Sequence, residues 1–134
     1  MIRFEDAYFQ KINFSDKQVR QFLASALRDL NIAKESKVLE VSFKFTYDSL
    51  IKLGIVLVAK RGFKVRSVLG HHVKILSALA SILDNEDIEI TGNIMRQKRN
   101  LDLYEGEIEI TEKEVSEFLN FVEKIAKEVK LLID

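Results

Sequence analysis

Apolar residues recur along this chain with a helical period nearly throughout. Ser15 opens the first long segment as an N-cap with Gln18 as its capping-box partner, and Val19, Phe22, Leu23, Ala26, Leu27 and Leu30 follow as one stripe. That spacing predicts a helix running to about Ala33. A second helix is expected from Ser36 or Lys37, with Val38, Leu39, Val41, Phe45, Leu50, Leu53, Leu57 and Val58 facing inward and Gly62 as its stop. Gly54 inside it disfavours the helix by about 1 kcal/mol relative to Ala, which predicts close approach of a neighbouring helix. A third helix starts at Gly70-His71-His72 and carries Val73, Ile75, Leu76, Leu79, Ile82 and Leu83. Asp84–Asp87 form a turn and the N-terminal acids of a fourth helix that ends in Arg96–Leu103. Thr111 and Glu114 cap a fifth, with Val115, Phe118, Leu119, Val122, Ile125, Ala126, Val129 and Leu132 inward.

The remaining segments are less regular. Residues 1–14 are aromatic-rich without clear period and read as an N-terminal arm or short docking helix; residues 62–70 read as a basic loop. Glu107-Ile108-Glu109-Ile110 alternates like a strand, but four residues without a partner strand read as an extended linker. With no Pro in 134 residues and no repeat or boundary, the expectation is one all-α domain, 1–134, an antiparallel bundle of four or five helices. A chain this long buries roughly two-thirds of its unfolded surface.

Composition narrows the chemistry. Without Cys there is neither a disulfide framework nor a thiolate metal site. Acids at Glu5 and Asp6 stand where a signal peptide needs an apolar run, and the longest apolar stretch, Leu50–Ala59, is broken by Lys52 and Gly54. The expectation is a soluble cytoplasmic domain that does not enter a membrane. A net charge of zero argues against a general coating of nucleic acid. Its distribution is uneven, however. Lys60, Arg61, Lys64, Arg66 and Lys74 lie with two histidines in a stretch free of acid, Arg96, Lys98 and Arg99 form a second basic patch, and acids gather at 84–89 and 105–117.

The richest stretch is Met95 to Gly106. Arg96, Arg99, Asn100 and Leu103 fall at i, i+3, i+4 and i+7, so two guanidiniums and an amide share one helical face. Planar bidentate donors suit phosphate or carboxylate. The bland alternative has Arg99 and Asn100 capping the helix end and pairing with Asp102, Glu105 or Glu107. His71 and His72 stand at a helix start, near N–H groups that favour anions. Two adjacent histidines without carboxylates do not make a metal site, which needs three or four ligands, and no cofactor motif is present.

Two segments, Tyr47–Leu76 with Lys60-Arg61-Gly62 and Gly70-His71-His72, and Arg96-Gln97-Lys98-Arg99-Asn100 through Tyr104 and Gly106, together resemble the HEPN (higher eukaryote and prokaryote nucleotide-binding) superfamily. The resemblance implies a helical bundle that binds nucleotide or RNA, facing a second copy across a two-fold cleft, within a toxin–antitoxin or nucleotidyltransferase-linked pair. In the family's ribonuclease motif an Arg and a polar residue precede a His. Arg99 and Asn100 match, whereas Tyr104 stands where a four-residue spacer would place the His. Arg99 and Tyr104 are thus the catalytic candidates that the resemblance supplies, and Arg96, Arg99, Asn100, His71 and His72 the binding candidates. A phenol with an ordinary pKa near 10 is a poor base at pH 7, so binding ranks ahead of metal-independent cleavage. The rival class is a protein-interaction module in which the basic face meets the acidic 105–117 region of another copy or of a partner.

Overall fold

A computed structural model describes residues 3–106 and 109–134, with the side chains of Tyr104 and Glu105 outside the description. Within it the chain is an all-α bundle: α1 (Asp16–Glu35), α2 (Leu39–Lys60), α3 (His71–Leu83), α4 (Glu86–Glu105) and α5 (Glu112–Ile133). A small antiparallel ribbon of β1 (Phe9–Lys11) and β2 (Phe63–Val65) is added, with Phe9 opposite Val65.

Both expected capping boxes form, Ser15 with Gln18 and Thr111 with Glu114. Asn85 caps α4 by accepting from the Asp87 N–H, and Gly62 follows the end of α2 in the left-handed region at φ +88°. The second helix begins later than its apolar pattern predicts. Ser36 instead closes α1, and its hydroxyl forms a local turn with Val38, so α2 starts at Leu39.

The two irregular segments differ from expectation together. Residues 62–70 are not loop throughout, and the aromatic N-terminal segment is not a helix, because Phe9–Lys11 and Phe63–Val65 pair with each other. Phe4 stacks on Phe63 at 4.1 Å and meets Phe9 edge-on at 5.1 Å, while Phe9 packs with Val58 and Ala78. Three-residue strands are too short to print a period on a sequence; it is the aromatic packing that holds them. Of the 107–110 segment expected to be a linker, residues 107 and 108 lie outside the described residues.

α1 and α2 form an antiparallel hairpin sealed by small hydroxyls. Ser42 donates to the Ala33 carbonyl at 2.7 Å and Ser49 to the Ala26 carbonyl at 2.8 Å, which satisfies buried polar groups while the helices approach closely. α3 and α4 form a second hairpin. Between α2 and α3, β2 carries the chain back along α2, so Tyr47 with His72, Gly54 with Ile75 and Val58 with Ala78 advance together. Gly54 of α2 and Gly92 of α4 grip α3 from two sides: a Cβ at Gly54 would overlap Ile75 Cγ2, and one at Gly92 would lie 2.6 Å from Leu76 Cδ2. The expected close approach at Gly54 is thus present. The Tyr47–Asp48 turn in the first half of α2, the start of α3 and the last turns of α4 consequently meet toward one end of the bundle. No helix among the described residues is long and apolar enough to cross a membrane.

Candidate functional site

α4 carries two opposed seams. Ile88, Gly92, Met95 and Arg99, at i, i+4, i+7 and i+11, face the core; Ile88, Gly92 and Met95 are buried. Arg99 is therefore the fourth position of an inward stripe, which draws its guanidinium toward α2. There its Cζ lies 5.7 Å from the centre of the Tyr47 ring, a cation–π contact, and its Nε lies 3.7 Å from Asp48 Oδ1. That Nε is buried and has no hydrogen-bond partner among the described residues. At 3.7 Å the pair with Asp48 is electrostatic only. The alternative in which Arg99 pairs with Asp102 receives no support, since its carboxylate neighbour is on α2.

Tyr47 is 0% exposed, and its hydroxyl lies 2.9 Å from His72 Nδ1. Burial pushes the phenol up to about 12 despite the opposing charges of Arg99 and Arg96, so it stays protonated. Burial, helped by His71, Arg99 and Arg96, pulls His72 down to about 4, so the imidazole is neutral at pH 7. A buried phenol leaves its proton unsatisfied unless it donates, and the acceptor within reach is His72 Nδ1. The hydrogen of neutral His72 then sits on Nε2. His72 is thus a donor rather than a base.

His71 is held differently. Its Nδ1 lies 2.7 Å from the Val68 carbonyl, which can only accept, so Nδ1–H donates. The two rings meet edge-on at 4.5 Å. Arg96 is steadied by an Nε–H bond of 3.1 Å to Asn93 Oδ1. Burial also raises the Asp48 carboxyl above its ordinary value, outweighing the neighbouring Arg99 charge.

The structure thus brings Arg99 to His72, through Tyr47, with Arg96 near enough to influence both Tyr47 and His72. Asn100 is half-buried at the same end of α4. Tyr104 lies within α4, and its side chain is outside the described residues. Lys98 is drawn off to α5, where it pairs with Glu114 at 3.1 Å. Among the described residues no group of three or more His, Asp or Glu is placed to hold a metal ion. Tyr47 and Asp48 are site residues that sequence reasoning missed. The available signal was Glu40, Lys44, Asp48 and Lys52, charges of alternating sign at four-residue spacing on one face of a helix whose other positions are largely apolar.

The site makes an acid-side prediction. A His held at about 4, against an ordinary 6.5, favours the fold in its neutral form. The contribution is fully present above pH 6.5 and is lost as pH falls from 6.5 through 4, where the unfolded chain binds the proton more readily. Asp48, shifted upward, acts in the opposite sense near its own range. Because His72 is only half-buried, the expected loss is about 1–2 kcal/mol after screening. Thermal melts at pH 7 and pH 4.5 should show a smaller drop in Tm for His72→Asn than for wild type; equal drops would exclude His72 as the source.

With this geometry in hand, comparison of the chain with protein-family models, curated proteins and solved structures finds no match.

Proposed function

We propose that the chain is a HEPN-like domain that binds a phosphate-bearing ligand, nucleotide or RNA, at the common end of α2, α3 and α4. The observation that carries this reading is Arg99: its side chain is 28% exposed, its Nε has no hydrogen-bond partner among the described residues, and its anionic neighbour stands at 3.7 Å. A guanidinium so placed has donor capacity left for an incoming oxyanion. Arg96 adds a second fork and His72 a neutral Nε2–H donor. Donors therefore outnumber proton acceptors, which favours binding over cleavage.

The second seam of α4 supports a homodimer. Ile90, Ile94, Gln97 and Leu101 also follow i, i+4, i+7 and i+11 on the opposite face, and the three apolar residues are each at least 45% exposed. Such spacing is the knob pattern of helix–helix association. A second copy docked there leaves the Arg99 face of each protomer open, and so sets the two sites apart rather than across the two-fold cleft that the resemblance implies. The same seam is what favours the interaction-module reading, and a nucleotidyltransferase-type partner within a toxin–antitoxin pair remains part of the proposal.

Fluorescence anisotropy of a labelled single-stranded RNA in excess EDTA, over a series of salt concentrations, tests the reading. Two phosphate contacts per protomer, from Arg96 and Arg99, give a log–log slope of about −1.4, and the RNA stays intact. Absence of saturable binding would transfer the function to the apolar seam alone.

A further inference from the structure

We infer that Asp48 is an internal anion that competes with the ligand for Arg99 and thereby sets the phosphate charge the site accepts. The inference rests on the phosphate-binding reading above and assigns its selectivity to one residue of α2.

The comparison lies within the same helix. One turn beyond Asp48, Lys52 makes a closed pair with Asp29 at 2.7 Å and donates to Ser25 Oγ at 2.9 Å. Asp29 is buried, and that pair is locked into the α1–α2 contact. Asp48 faces Arg99 at 3.7 Å without a hydrogen bond to its Nε, and the two side chains are 26% and 28% exposed. Lys52 is already engaged, so Arg99 is the ion-pair partner of Asp48 among the described residues. A pair kept for stability would close to about 2.7–2.9 Å and go bidentate. This one stays open, near enough to bias the guanidinium and too far to saturate it.

Arg96, Arg99 and Lys44 bring positive charge to the site, the Lys52–Asp29 pair cancels, and ionised Asp48 is the anion beside the guanidinium, while Tyr47 and His72 carry none. A phosphodiester brings one negative charge toward Asp48, and a terminal phosphate at pH 8 brings two. Asp48 therefore favours internal diester phosphates over terminal monoesters. Its repulsion scales with ligand charge, so removing it multiplies affinity for a monoanion by some factor and for a dianion by the square of that factor.

Asp48→Asn keeps the shape and removes the charge. The probes are adenylyl-(3′→5′)-adenosine, with one diester, and adenosine 5′-monophosphate at pH 8, titrated calorimetrically into wild type and variant. Expected gains are about fivefold for the diester and roughly 25-fold for the monoester. Equal gains for both probes, or no gain, with wild type still binding, would overturn the role of Asp48 and leave the phosphate site standing. Failure of both proteins to bind either probe would remove the site itself. Asp48→Ser, a smaller neutral residue, provides the same contrast if the Asn variant does not fold.

Discussion

Gly54→Ala is expected to lower stability by about 2 kcal/mol, although helix propensity alone predicts a gain of about 1 kcal/mol. The new methyl would overlap Ile75 Cγ2 and stand 3.3 Å from the Ile75 carbonyl oxygen. Cγ2 hangs on a β-branched carbon with one strongly preferred rotamer in a helix, and Ile75 is 1% exposed, so it has nowhere to turn. α3 would have to move off α2. His72 lies one turn before Ile75, so that movement also stretches the 2.9 Å contact with Tyr47. Gly92→Ala is the informative companion, because its nearest neighbour, Leu76 Cδ2 at 2.6 Å, is the end of a more adaptable side chain. Urea denaturation should rank the variants Gly54→Ala, then Gly92→Ala, then wild type in rising stability. A Gly54→Ala protein more stable than wild type would mean that α2 and α3 do not pack this closely.

Arg99→Ala is expected to reduce affinity for single-stranded RNA about 30- to 100-fold, equivalent to about 2–3 kcal/mol of charge-assisted hydrogen bonding. The fold should survive. Arg99 and Asp48 are both partly exposed, so the orphaned carboxylate can hydrate, and the stability change should stay within about 1 kcal/mol. Arg99→Lys separates charge from geometry: an ammonium retains the attraction but not the planar fork or the stacking on Tyr47, so an intermediate loss of about tenfold is expected. The salt slope should also flatten by about 0.7 in Arg99→Ala as one phosphate contact is lost. Unchanged affinity in Arg99→Ala, measured beside a matching thermal melt, would mean that RNA binds elsewhere.

The helices were legible because long amphipathic segments state their period and their ends. Ser15, Thr111 and Gly62 mark boundaries through hydrogen bonds or backbone conformation that only a few residue types supply. The ribbon was not legible, since the first strand, with Phe9 as its one aromatic residue, pairs with a segment more than fifty residues away. Non-local pairing leaves little local trace when each strand has three residues.

The site was half legible. Arg96 and Arg99 could be placed on one face from spacing alone, but Arg99 also continues the Ile88-Gly92-Met95 core stripe, and that is what turns it toward Tyr47 and Asp48. His72 was named from its position at a helix start; its role as a neutral donor follows from the buried hydroxyl 2.9 Å away. Protonation states of this kind depend on what a tertiary neighbour buries, which no spacing rule contains.

Direct observation of the Arg99 guanidinium tests the central claim. In a ¹⁵N-labelled sample, the Nε–H resonances of Arg99 and Arg96, assigned through Arg99→Ala and Arg96→Ala, are followed as inorganic phosphate is added at constant ionic strength. The account predicts that both shift and saturate with one common dissociation constant. Fixed Nε–H resonances at phosphate concentrations that move other surface signals would contradict it.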